Sequence, residues 1–156
     1  MNIVPYNRNN AVSYARQWAH GRNPAYANFD ELGGDCTNFI SQCLYAGCKT
    51  MNYTRDTGWY YNSLSDRAAA WSGVEFLHRF LTENTGDGPR AEELPIKYAQ
   101  PGDIIQLSFD GKTFSHSLFA VSVNPILVAT HSQDSCDRPL STYPYVKVRL
   151  LRIEDQ

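Results

Sequence analysis

The stretch LGGDCTNFISQCLYAGC, residues 32–48, carries Cys36, Cys43 and Cys48 behind two glycines and an aspartate. Four chemistries are open to Cys36: metal ligand, disulfide partner, buried filler or nucleophile. A structural zinc site needs close cysteine pairs or a following pair of histidines, and the spacing offers only the step from Cys43 to Cys48. On a helical reading Cys36 and Cys43 lie about 10.5 Å apart along the axis, beyond the roughly 7 Å that a disulfide spans. Spacing leaves a Cys48–Cys136 pair open, and a reducing compartment argues against it. Buried filler suits Cys43, which falls on the apolar stripe of the segment. Cys36 instead opens the expected helix, where unpaired N–H groups and the helix dipole favour a thiolate and offer donors to an oxyanion. Asp35 stands where it can cap that helix, and Gly33 and Gly34 leave room for a substrate backbone.

A thiolate nucleophile needs a base, and the base an orienting group. His20 and His78 read as surface residues at a helix end and on a helix flank. His116, in FSHSLFAV, alternates with Phe114, Leu118 and Ala120 on one face of an expected strand. It is either a satisfied core residue or a site residue. His131 closes the next strand, in LVATHSQD, facing with Leu127 and Ala129. Pairing of these strands brings His116 and His131 side by side on this reading, so that one imidazole orients the other.

These groups need elements to hold them. Residues 11–20 read as a helix with Val12, Ala15, Trp18 and Ala19 as its stripe, Asn10 as its cap and Gly21 as its end. Residues 23–35 read as a loop. A second helix covers 36–46, burying Phe39, Ile40, Cys43, Leu44 and Ala46, with Gly47 just past its end. Ser72-Gly73-Val74-Glu75 fits a capping box before a third helix with Val74, Leu77, Phe80 and Leu81 as its stripe, and residues 86–89 break the chain. From Pro101 the period drops to two, giving strands over 103–109, 115–123, 126–131 and 145–153. Asp110-Gly111 signals a hairpin turn and Asn124-Pro125 a second turn. Helices first and an antiparallel meander after them make an α+β domain. No linker interrupts residues 1–156, which read as one domain.

Taken together, the sequence resembles the putative amidase domain family of the NlpC/P60-like, papain-like cysteine hydrolases. GGDCTNFISQCLYAG resembles the nucleophile motif of that family and FSHSLFAV its histidine strand. PGDIIQLS resembles the segment ahead of that strand, ATHSQD and RPLSTY the tail behind it, and YNRNNAVSYARQWA the first helix. The likeness runs from about residue 6 to residue 153. It implies a papain-like, NlpC/P60-type fold, with N-terminal helices packed on an antiparallel sheet. It implies a cysteine-dependent amide hydrolase working through a thioester, with Cys36 as nucleophile and His116 as base and then acid. His131 takes the orienting position, with Asp134 as its rival and Asn124 a weaker one. Asp35, Tyr26 and Asn28 are candidates for holding the substrate or the oxyanion. The resemblance calls for no cofactor and no metal. Its substrates are peptides or small amides, cell-wall-type peptide amides among them, and the same thioester chemistry serves an acyltransferase.

Composition sets outer bounds. The 156 residues, 42% hydrophobic and 19% charged, suffice for one domain with a sizeable core. A net charge of -2 gives no reason to expect nucleic acid or an anionic membrane as partner. No apolar run approaches the roughly 18 residues of a membrane span. The opening MNIVPY has neither a basic nor a long apolar segment. If Met1 is the natural start, the expected location is cytoplasmic; if the chain was trimmed, a secreted or wall-associated protein fits. Asn52-Tyr53-Thr54 matches a glycosylation pattern that matters only in the second case. Trp59, Tyr60, Tyr61 and Trp71 suit either a stacking surface, as in a non-catalytic peptide- or glycan-binding module, or the packing of a long loop. Packing is the simpler reading. The sequence does not set the oligomeric state.

Overall fold

In the computed structural model, which describes residues 4–155, the first helix starts at Asn7. The Asn7 side chain accepts from the Asn10 N–H at 2.9 Å, and α1 runs Arg8–Trp18. The cap is thus Asn7 and not Asn10: the apolar stripe begins at Ala11, but helical hydrogen bonding begins a turn earlier. The part of the N-terminal reading that rests on residues 1–3 lies outside the described residues.

The second helix, α2 (Cys36–Cys48), is buried continuously from Cys36 to Leu44. Its polar residues are therefore inside and need partners. Trp71 Nε1 donates to Asn38 Oδ1 at 2.9 Å, Trp59 Nε1 to Ser41 Oγ at 3.0 Å, and Ser41 Oγ to the Trp71 carbonyl at 2.8 Å. Tyr14 of α1 donates its hydroxyl to Gln42. Both tryptophans are fully buried, so the residue 51–73 segment is packed onto α2 by them, in agreement with the packing reading. Gly47 lies inside the helix and not past it; Lys49, at φ 56°, ends it. A Cβ on Gly47 would stand 2.4 Å from Cε1 of Tyr6, so the bare backbone is what lets the N-terminal segment pass.

A short ribbon follows, β1 (Tyr61–Ser63) with β2 (Asp66–Arg67), then α3 (Ala69–Ser72) and α4 (Val74–Glu83). The capping box is not formed. Gly73 is the N-cap of α4, Ser72 accepts from Arg67 Nε at 3.1 Å, and Glu75 pairs with Arg149 at 2.7 Å.

Six strands make the main sheet: β3 (Ala91–Leu94), β4 (Ile104–Ser108), β5 (His116–Ser122), β6 (Leu127–Thr130), β7 (Ser135–Pro139) and β8 (Lys147–Ile153). Their order is β3-β8-β4-β5-β6-β7, every pair antiparallel. The fold is the expected α+β arrangement of N-terminal helices on an antiparallel sheet. The meander, however, covers only β4 to β7, because β8 inserts between β3 and β4. Asp110-Gly111 forms no tight two-residue turn; it sits in a longer loop, where Asp110 Oδ1 accepts from the N–H groups of Lys112 and Thr113, both at 2.8 Å.

One face of the sheet packs against the helices through Ile104, Phe119, Val121, Ala129 and Leu151. The other carries a smaller core of Ile105, Leu107, Leu118, Ala120, Val128 and Leu150, with Leu140 and Tyr143 over it. Asp103, fully buried, ties the layers: it accepts from Arg8 Nη1 of α1 at 2.8 Å and from the Ile153 N–H of β8 at 3.0 Å. All four cysteines are free thiols. No described helix is long and apolar enough to cross a membrane.

Candidate active site

Gly33 and Gly34, at φ 100° and 105°, turn the chain into α2 through a backbone region that residues with a Cβ rarely adopt. Asp35 follows as the N-cap residue, yet its side chain makes no cap bond to α2. The carboxylate is fully buried and turned elsewhere. Oδ1 accepts from the Phe29 N–H at 2.8 Å and from Asn38 Nδ2 at 2.9 Å. Oδ2 meets Nδ1 of His131, with Arg22 Nε at 3.5 Å.

His131 is also buried, with its ring stacked on Phe39 at 4.0 Å between centroids. Its Nε2 lies 2.8 Å from the Trp18 carbonyl. A carbonyl only accepts, so Nε2 carries a proton, and Nδ1 shares one with Asp35. Both ring nitrogens are thus engaged, and the expected pairing of His131 with His116 is not formed. The register explains why. Phe119 pairs with Ala129 and Ala120 with Val128, which continues to place Ser117, not His116, opposite His131. The two imidazoles therefore project from opposite faces of the sheet. His131 links the end of α1, the start of α2 and the end of β6.

Cys36 is 9% exposed at the first position of α2. Burial pushes its thiol pKa up, while N–H groups of Ser117 and Thr37 and the Thr37 hydroxyl pull the other way. The rise runs against the thiolate expected from the helix dipole: at this depth desolvation outweighs it. Behind the thiol runs a buried polar chain. Thr37 Oγ1 is 3.7 Å from Cys36 Sγ and 3.0 Å from Ser117 Oγ, and Gln106 Nε2 donates to that Ser117 oxygen at 3.2 Å. Arg149 fixes the Gln106 amide by donating to Oε1 at 2.9 and 2.7 Å. With Gln106 locked as a donor, the chain closes without conflict when Ser117 donates to Thr37 and Thr37 to sulfur.

His116, the residue before Ser117, opens β5 and faces away from α2, toward Tyr143 (ring centroids 6.1 Å apart) and Phe109 (6.5 Å). Burial, and secondarily the Arg138 charge, push its pKa down to about 4, so the ring is neutral at pH 7. It borders an open cleft of about 660 Å³ together with Asp30, Phe109, Ser132, Arg138 and Tyr143. Cys36 does not line this cleft, but Gly34 ahead of it approaches a residue that does. A Cβ on Gly34, two residues ahead of the cysteine, would be 3.5 Å from Oγ of Ser132.

The remaining candidates lie elsewhere. Asp134 is held by Arg22 at 2.9 and 3.0 Å. Asn124 sits in the turn at the far end of β5. Tyr26 stacks against Trp71 at 5.9 Å, and burial pushes its hydroxyl up to about 12. Asn28 spends its side-chain oxygen on the Asp30 N–H at 2.8 Å. The sequence reading missed Thr37, Ser117, Gln106 and Arg138. For the first three the available signal was a polar residue on a buried face, Ser117 among the apolar residues of β5 above all. A second hollow, of about 320 Å³ between the residue 52–58 loop and α4, contains none of these groups.

A family model described as a putative amidase domain matches residues 5–153. The chain is 37% identical over 139 residues to the uncharacterized protein YhbB of Bacillus subtilis (strain 168), taking in 83% of this chain and 42% of that protein. It thus spans less than half the length of that relative. No solved structure matches.

Proposed function

Because the chain belongs to the putative amidase domain family, we propose that it cleaves amide bonds with Cys36 as the nucleophile and His116 as the base. One observation carries the assignment of residues: the Cys36 sulfur is joined through the Thr37 hydroxyl, at 3.7 Å, to the hydroxyl of Ser117, the residue next to His116. The chain order, a cysteine at a helix start and then a histidine on a strand, resembles that of papain-like hydrolases. At rest the thiol keeps its proton and the imidazole is neutral, since burial moves the two pKa values apart. The His116 ring faces the cleft at rest, so this reading requires it to turn about χ1 toward sulfur, where it takes the thiol proton as sulfur attacks the amide carbonyl and forms the carbon–sulfur bond. The Thr37 hydroxyl and the Ser117 N–H stabilise the developing thiolate. Free N–H groups of the first turn of α2 receive the oxyanion. His116 returns the proton to the leaving amine as the carbon–nitrogen bond breaks. Water, deprotonated by the same imidazole, then attacks the thioester carbonyl; the carbon–sulfur bond breaks, the acid is freed and the imidazolium returns its proton to the Cys36 sulfur. His131 and Asp35 act as positioning residues that fix the start of α2.

Peptides and small amides are the substrates to screen. Cys36→Ala and His116→Ala are each expected to lower hydrolysis by about three orders of magnitude or more. Full activity of Cys36→Ala on a substrate that the wild type cleaves would falsify the assignment. Stacking by a binding module gains no support from Trp59 and Trp71, which are both in the core.

A further inference from the structure

The cleft beside His116 holds Asp30, His116 and Arg138 besides the Tyr143 phenol, and their charges do not balance. Asp30 is spent: Arg22 meets its two oxygens at 3.0 and 3.3 Å, and the same guanidinium also grips Asp134. His116 is neutral above about pH 4. Arg138 remains. Its Nε donates to Thr142 Oγ1 at 2.7 Å and Nη2 to the Thr142 carbonyl at 3.3 Å, and the guanidinium carbon lies 3.7 Å from the centroid of the Tyr143 ring. Among the described residues no carboxylate pairs with it, as is also true of Arg55, Arg67 and Arg79, which lie outside this cleft, whereas Arg8, Arg16, Arg22, Arg90, Arg149 and Arg152 each face one. Thr142 and Tyr143 fix the plane of the group, and Nη1 has no hydrogen bond among the described residues, so little side-chain entropy remains to be lost when an anion docks.

We propose that Arg138 is the anion-recognition residue of this cleft, and that the substrate is an amide bearing a carboxylate close to the scissile bond. Such a group is the chain end or acidic side chain of a peptide or acylated amino acid. A guanidinium held flat offers the forked geometry that a carboxylate matches. The faces of Phe109 and Tyr143 provide contact for the apolar part of such a ligand. A cationic substrate is disfavoured by the same charge, because the one carboxylate of the cleft is already neutralised by Arg22. This specificity rests on the amide-hydrolase reading for the bond that is cut, but the anion site itself can be tested without turnover.

The test is a titration of the Cys36→Ala protein, following the ring resonances of His116 by NMR. The two probes are N-acetylglycine and N-acetylglycinamide, which differ in having a carboxylate or a carboxamide. N-acetylglycine is expected to shift the His116 signal saturably and to bind at least about tenfold more tightly than the amide. Arg138→Gln should bring the two probes within about twofold of each other, and Arg138→Lys, which keeps the charge without the fork, should retain part of the preference. Well-dispersed spectra of both variants establish that they fold. Equal binding of the two probes, no saturable shift with either up to about 0.1 M, or a preference that survives Arg138→Gln overturns the proposal. Whether Cys36→Ala abolishes hydrolysis is a separate readout, so the site and the reaction can fail independently.

Discussion

At His116 two effects act in one direction: burial removes water from the ring, and the Arg138 charge repels a second positive charge. An imidazole held neutral in this way remains a competent base well below pH 7, but it makes the fold sensitive to acid. The folded-state pKa of about 4 lies below the ordinary histidine value of 6.5, so the unfolded chain binds more protons between those limits. Stability contributed by the neutral ring is fully present above pH 6.5 and is lost as pH falls toward about 4. Roughly 3 kcal/mol is the upper scale of that loss. Asp103, whose carboxyl is pushed up by burial, titrates with the opposite sign, so the comparison must be between wild type and His116→Gln. Urea denaturation at pH 7 and pH 4.5 should show a clearly smaller pH-dependent drop for the variant. Equal drops would mean that the ring is not held neutral by the fold.

At the scale of elements, α2 is the piece on which the site depends, and Gly47 marks how closely it is packed. Alanine is about 1 kcal/mol better than glycine inside a helix. Here the added methyl meets Tyr6, whose hydroxyl is tied to the Gly102 carbonyl at 2.6 Å, and the Asn7 carbonyl oxygen at 3.0 Å. Neither neighbour can move freely, so the clash wins. Gly47→Ala should be destabilised by about 1–3 kcal/mol, read as a lower denaturant midpoint at unchanged slope. A more stable variant would show that the Tyr6 segment yields. This helix was legible in the sequence because its apolar stripe is regular, and β4, β5, β6 and β8 were legible because apolar residues alternate in them. AEEL and SCDRP, which become β3 and β7, alternate too weakly to be seen. They are the two edge strands and take their registers from β8 and β6. The expected pairing of His131 with His116 is absent for a related reason. Alternation shows that a residue faces one side of a strand, but the offset between β5 and β6 is set by the bulge between Ala120 and Ser122, which has no signature in the local pattern.

Across the whole molecule, the helical layer and the sheet are tied together at Asp103. The buried carboxylate accepts from Arg8 in α1, from the Gln100 N–H at 2.9 Å and from the Ile153 N–H in β8. Removing it leaves a guanidinium and two backbone donors without their acceptor. Asp103→Ala is expected to cost about 3–5 kcal/mol, whereas Glu75→Ala, which cuts the exposed end of an ion pair with Arg149, should cost about 1 kcal/mol or less. Similar thermal midpoints for the two variants would remove Asp103 from this structural role. Sequence reading placed Asp103 only at a strand start. Its importance arises from residues 95 and 50 positions away, a separation that no local pattern encodes.

The four unpaired thiols lie at graded depths. Cys136 is partly exposed, Cys36 and Cys48 are 9% and 6% exposed, and Cys43 is sealed in the centre of α2. Without a crosslink to hold it shut, the molecule carries its own clock. A thiol-reactive dye should reach Cys136 at once and Cys43 only when the helix parts from its surroundings, so the slowest labelling phase times the opening of the whole domain.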